Sequence, residues 1–313
     1  MVRVLLIKRL SGFMLCCLLG GCTATAPVHL WRPPTLASTV GVKVVVSELV
    51  GEGELVDKVH RKLFDLAPHD SGRQVMLVDY QTLRAESEVQ LVSAIDDEVN
   101  DVALASLARR AGADFLLRGE VFERRTGDYQ KAMDDQLTIS WRLTALDGKR
   151  EGGGMPVSVT MASAIERYPD LALLGRSDEV LSIAAVRDTY RLMMPTVSRE
   201  EIELESAYVL PGSSQLRRAN ALAEAGRWSE AEEIWKTVRK KNPFQIAAIH
   251  NLALAAVARQ DFSEAKNLAS RAVRLHPSQL HQRTLIWVET RQRAYHAAFG
   301  LPDPPEGWFL TRN

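Results

Sequence analysis

RWSEAEEIW (residues 227–235) and DFSEAKNLA (residues 261–269), set 34 residues apart, share an aromatic residue followed by Ser-Glu-Ala. At that offset Ala219 meets Ala253, Trp228 meets Phe262, and Ser229-Glu230-Ala231 meets Ser263-Glu264-Ala265. Val238 meets Ala272, and Pro243 meets Pro277. Self-similarity at this period is the mark of a helix–turn–helix unit that buries its apolar face only by stacking on its neighbour. The small residues Ala219 and Ala231 let two helices approach closely. Gly226 sits at the turn between them, Trp228 and Phe262 plug the hairpins, and the prolines end each unit. Residues 212–279 therefore predict an all-α array of two hairpins.

Working outward, two units are fewer than the three a stable solenoid needs. Residues 280–299, with Leu285, Ile286, Trp287, Val288 and Tyr295, supply one more amphipathic helix as a C-terminal cap. The tail that follows holds Pro302, Pro304, Pro305 and Trp308 and is expected to pack back on the array.

The period and residue classes resemble the tetratricopeptide repeat. The resemblance implies a groove, lined by each unit's first helix, that takes an extended peptide or a partner helix. Its lining is expected at Leu216, Asn220, Ala223, Ala247, His250, Asn251, Leu254 and Val257. Asn220 and Asn251 fall where the repeat often carries Asn on the first helix. Leu216 stands where the carboxylate-binding members need Lys, so that specificity is not expected. The second copy departs from the pattern, with Gln260 at the turn and Ala256 where a large residue is usual. The groove either serves a partner or is filled by the chain itself.

Residues 40–211 read as an α+β domain. Strand-like runs lie at 40–49, 74–80, 115–122, 135–146 and 155–161, with a short final strand at 202–210. Helical spacing marks 54–66, 86–111 and 179–194. The order β-α-β-α-β-β-β-α predicts a mixed sheet with helices packed on it. Gly112 permits a left-handed helix cap, Asp114 satisfies backbone groups at the turn, and a buried strand follows. The run ADFLLRGEV (residues 113–121) resembles a segment of periplasmic domains of the TolB N-terminal type. That type is shared with the curli-secretion lipoprotein and the lipoprotein activator of a penicillin-binding protein. The resemblance covers about residues 40–197.

The N-terminus begins with a basic segment holding Arg3, Lys8 and Arg9, then a short apolar run ending in Leu19-Gly20-Gly21-Cys22. The run is too short to span a bilayer and reads as a signal peptide, residues 1–21. Its end resembles the lipobox of bacterial lipoproteins. That implies cleavage before Cys22, acylation of its thiol with palmitate-type chains, and attachment to a membrane. Thr23 is not the Asp that retains such proteins at the inner membrane, so the resemblance implies the outer membrane, facing the periplasm. Residues 22–39, with Pro27, Pro33 and Pro34, are expected to be a flexible tether.

Composition bounds the function. The 313 residues carry no net charge, but residues 212–313 hold 15 Lys/Arg against 9 Asp/Glu, and the remainder holds 24 against 30. This balance is not that of a nucleic-acid binder. Cys16 and Cys17 leave with the signal and Cys22 takes lipid, so the mature chain has no thiol nucleophile and no disulfide. No dinucleotide loop, P-loop or nucleophile elbow is present. The histidines are scattered, and His276 and His281 are five apart across Pro277, which does not suit two ligands on one helical face. The expectation is a non-catalytic envelope lipoprotein, without metal or cofactor, that binds envelope proteins as a scaffold or regulator. The alternative is a subunit of an oligomeric outer-membrane secretion complex, for which residues 135–161 are the only candidate membrane hairpin.

Overall fold

The computed structural model describes residues 24–69, 73–86, 101–125, 133–148, 152–174 and 176–309. The signal peptide, Cys22 and the first half of the helix expected at 86–111 lie outside these residues. The elements are β1 (Ala24–Arg32), β2 (Lys43–Val46), β3 (Val50–Gly51), α1 (Leu55–Asp65), β4 (Met76–Asp79), α2 (Tyr80–Glu86), α3 (Asp101–Arg110), β5 (Phe115–Arg124), β6 (Gln136–Ala145) and β7 (Gly153–Thr160). They continue with α4 (Met161–Arg167), a 3-10 turn at Pro169–Leu173, α5 (Ser177–Met193), β8 (Thr196–Leu204), α6 (Ser213–Glu224), α7 (Trp228–Lys241), α8 (Ile246–Ala258), α9 (Phe262–Leu275) and α10 (Gln279–Phe299). The protein is mixed α+β, with a sheet first and helices in the C-terminal part. Among the described residues no helix is long and apolar enough to cross a membrane.

The chain divides into two compact units. The first is Trp31–Thr196 with Ala294–Pro302. Its six-stranded sheet runs β4-β2-β5-β6-β7, with β3 added on β5. β2 is parallel to β4 and β5, whereas β5–β6 and β6–β7 are antiparallel. Side chains alternate across the strands with period 2. Val44, Val46, Phe115 and Leu117 join Leu55, Val59 and Leu63 of α1 and the buried face of α5 in one core. Val45 and Leu116 point the other way, against Leu104, Leu107 and Ala108 of α3.

The expected turn before β5 is present in detail. Gly112 adopts φ +70°. The Gly112 N–H donates to Arg109 O and the Ala113 N–H to Ala108 O, both at 3.0 Å, which is the Schellman pattern. Asp114 Oδ2 accepts the Lys43 N–H at 2.9 Å, and Asp114 N–H donates back to Lys43 O at 2.8 Å. Two strands are thus registered by one residue. Further along β5, a Cβ on Gly119 would lie 2.6 Å from Trp141 Cζ3. Only glycine leaves room there for the fully buried indole. Within the stretch 135–161, β6 and β7 pair antiparallel in this sheet, and Leu137, Ile139, Trp141, Leu143, Val157 and Val159 are core residues.

The second unit comprises residues 24–30, Val197–Arg293 and 303–309. The division at 196/197 replaces the expected boundary at 211/212. α6 packs on α7, α7 on α8, and α8 on α9. The turns between α6 and α7 and between α8 and α9 span three residues each, as short connections between packed neighbours do. The tail packs back as expected. Lys266 Nζ, fully buried, donates to Gly307 O at 2.7 Å, and Glu306 Oε1 accepts from Ser263 Oγ (2.9 Å) and Gln292 Nε2 (3.0 Å).

Two expectations are corrected here. Residues 24–32 are not a tether: they form β1, which pairs with β8 in a two-stranded sheet. Ala26, Val28 and Leu30 alternate inward and are buried, and the Pro27 carbonyl accepts the Trp228 indole N–H at 2.8 Å. A proline is tolerated in such an edge strand because its missing N–H is not needed by the ladder. The last strand is Thr196–Leu204, not 202–210, and it belongs to this second sheet, not the main one.

Candidate functional site

The eight residues expected to line the groove fall on two helices. Leu216, Asn220 and Ala223 are on α6, and Ala247, His250, Asn251, Leu254 and Val257 are on α8. All eight are buried. The chain's own segment at the end of β8 lies against the polar members of this set, Asn220, His250 and Asn251.

The contact reads main chain. Asn251 Nδ2 donates to Glu205 O, and Asn251 Oδ1 accepts the Glu205 N–H, both at 2.9 Å. Asn220 Nδ2 donates to the same carbonyl and to Ser206 Oγ, each at 3.1 Å. The two amides are locked together, since Asn251 Nδ2 also donates to Asn220 Oδ1 at 2.9 Å, and the Trp235 indole N–H reaches that oxygen at 3.2 Å. A buried side-chain amide has both donor and acceptor capacity, so one Asn can satisfy both the N–H and the C=O of one residue. Helical spacing from Leu216 to Asn220 to Ala223 puts the amide on the same stripe as the small apolar contacts.

Residues that sequence reasoning passed over complete the site. Glu205, with its backbone in the amide clamp, directs Oε2 to His281 Nε2 at 2.9 Å. His281, on the first turn of α10, donates its Nδ1–H to His276 O at 2.7 Å. The five-residue spacing fails for two side-chain ligands on one helix face, yet it suits a side chain bonding a preceding carbonyl. The His250 ring lies 5.2 Å from the His281 ring and tilted 47° to it, and its Nε2 lies 3.4 Å from Glu203 O. Burial pushes the His250 pKa down to about 4, and His281 adds to the fall, against the Glu203 carbonyl. Farther along β8, Glu200 Oε2 accepts from the Trp287 indole at 3.3 Å and pairs with Arg291 at 3.0 Å. The extended segment is thus held from α6, α8 and α10. Chemically, two imidazoles and a carboxylate can share a proton or hold a cation.

A family profile described as a domain of unknown function (DUF6340) matches residues 217–296, from within α6 into α10. No curated protein matches the chain. Among solved structures, a PelC dodecamer from Paraburkholderia phytofirmans aligns at 14% identity over 51% of this chain and 96% of its own, with TM-score 0.25. The hypothetical protein CT253 from Chlamydia trachomatis aligns at 10% identity over 48% and 91%, with TM-score 0.26. The lipoprotein GNA1162 from Neisseria meningitidis aligns at 13% identity over 42% and 90%, with TM-score 0.25. Likeness at this level carries neither fold nor activity across.

Proposed function

We propose that the chain is a lipid-anchored protein of the bacterial envelope, attached through Cys22 at the outer membrane, that binds other envelope proteins as a non-catalytic scaffold or regulator. In this reading α6–α9 form a tetratricopeptide-type array and the sheet-containing unit is of the TolB N-terminal type. The single observation that carries it is the clamp of Asn220 and Asn251 on the peptide groups of residue 205. A helical array built to grip extended main chain is built to bind proteins. Here its own segment takes the place of a partner strand, so a partner docks by exchange with residues 203–206 or on the surface beside them. Tyr208, Val209 and Leu210, directly after that segment, are exposed apolar residues. The leader supports the address: basic residues, a short apolar run and Leu-Gly-Gly-Cys. Two acyl chains or more anchor stably where one does not. A pore-forming oligomer would need the 135–161 hairpin free for the bilayer, whereas its inward residues belong to the first unit's core.

Two experiments test the reading. Metabolic labelling with a palmitate analogue should mark the wild-type chain and not Cys22→Ala; label on the variant overturns the anchor. A photoreactive residue at Val209 of the full-length, membrane-bound chain should yield a discrete product with another envelope protein. Products with itself alone, or none, overturn the scaffold reading.

A further inference from the structure

Two acceptors face one another at the end of β8. His276 O can only accept, so His281 Nδ1 carries the proton of that 2.7 Å bond. In the neutral ring Nε2 is then a bare lone pair, and it points at Glu205 Oε2 from 2.9 Å. A lone pair and a carboxylate oxygen repel at that distance unless a cation stands with them, either a proton on Nε2 or a metal ion. A third donor is at hand. One ring nitrogen of His250, one of His281 and a Glu205 carboxylate oxygen lie within 4.8 Å of one another, and among the described residues no other His, Cys, Asp and Glu side chains are gathered this way. His250 is fully buried, and its Nδ1 has no hydrogen-bond partner. Buried polar atoms are nearly always satisfied, and an exception calls for a reason.

We propose that Glu205, His250 and His281 together bind one divalent transition-metal ion, zinc by the chemistry of the donor set. Two imidazoles and a carboxylate are zinc ligands. The His281 Nδ1–H bond to the His276 carbonyl is the outer contact that fixes a ligand ring's tautomer and orientation. The ion pins residue 205 to α8 and α10, adding a side-chain lock to the amide clamp on its backbone. On binding, the proton shared by Glu205 and His281 leaves to solvent.

The full-length chain, freed of metal by chelator dialysis, is titrated with zinc chloride by calorimetry in two buffers of different ionisation enthalpy. The expected result is one zinc per chain with about one proton released, and at least ~10-fold weaker binding in Glu205→Gln. His69→Ala, at an exposed histidine of the other unit, should bind as wild type. X-ray absorption at the zinc edge of the wild-type complex should show two imidazoles with oxygen and no sulfur. This last measurement decides the matter even if a variant fails to fold. Absence of saturable binding at one equivalent, equal affinity in Glu205→Gln, or fewer than two imidazoles overturns the proposal and leaves the proton as the shared cation. None of these outcomes bears on the lipid anchor, and the Val209 crosslinking outcome is read independently of them.

Discussion

The two hairpin turns of the helical array adopt one backbone conformation with different residues, and that difference has a measurable free energy. At the first turn Gly226 has φ +75°, and at the second Gln260 has φ +67°, the one non-glycine residue in the left-handed region among those described. The hydrogen bonds match. Gly226 N–H reaches Ala223 O at 2.8 Å and Arg227 N–H reaches Leu222 O at 2.8 Å, while Gln260 N–H reaches Val257 O at 2.8 Å and Asp261 N–H reaches Ala256 O at 2.9 Å. Both turns are Schellman caps. An L-residue in this conformation costs roughly 1–2 kcal/mol. Glycine avoids that cost but loses more backbone entropy on folding, roughly 0.5–1 kcal/mol. Gln260→Gly should therefore stabilise by about 0.5–1 kcal/mol, which raises the melting temperature by roughly 1–2 °C in a chain of this length. Gln260 is exposed, so no packing is lost. Gly226→Gln is the mirror experiment. A Cβ there meets nothing within 4 Å, so only the dihedral cost is imposed, and the same amount of stability should be lost. Thermal unfolding followed by circular dichroism reads both, and the double variant should return near wild type. If Gln260→Gly is neutral or destabilising while Gly226→Gln costs stability, the second turn does not hold the left-handed conformation.

Three further outcomes are expected. Asn251→Ala strips the Glu205 N–H of its partner and removes two donated bonds in a fully buried site, so urea denaturation should show a loss of roughly 2–3 kcal/mol; a loss near zero would mean the clamp is not formed. Gly119→Ala places a methyl 2.6 Å from Trp141 Cζ3 and 2.8 Å from Leu49 Cδ2, and the overpacking should cost about 1–3 kcal/mol with a changed tryptophan emission; unchanged stability refutes the close approach. The Glu306 carboxylate is held down at about 2 from an ordinary 4.5, first by the Gln292 hydrogen bond, then by its own backbone N–H, Ser263 and Lys266, against partial burial, so its contribution is present above pH 4.5 and is lost as pH falls towards 2. Glu306→Gln should flatten that part of the acid limb in pH-dependent unfolding, and an acid limb identical to wild type would exclude the role.

The features legible in the sequence are those written in local periodicity. The 34-residue offset located four helices, because Ala219, Ala231, Ala253 and Ala265 must recur wherever two helices touch, and all four are buried. Val44 and Val46 announced a buried sheet by β-branching, and Phe115 and Leu117 by lying in a short apolar run. β1 escaped because its alternation, Ala26-Val28-Leu30, is short and starts from a small residue with Pro27 inside it. Its partner lies far along the chain, and the indole that holds Pro27 is 201 residues away. Pairings of that range leave no local mark.

The site divides along the same line. His250, Asn220 and Asn251 were visible as polar residues on an otherwise small and apolar stripe. Glu205 and His281 were not, because the cluster draws on three elements and no spacing within one element encodes it. The occupant of the groove was invisible for a deeper reason. Asn220 and Asn251 bond the peptide groups of residue 205, which every residue but proline presents alike. Any extended segment brought to that position would make the same bonds. What singles out residue 205 is its carboxylate, which meets His281 Nε2 at 2.9 Å. Backbone grip supplies affinity without identity, and the imidazole–carboxylate contact supplies register. Glu205→Gln removes that carboxylate and leaves the amide clamp intact, which in the proposed reading is the condition under which one extended segment can be exchanged for another.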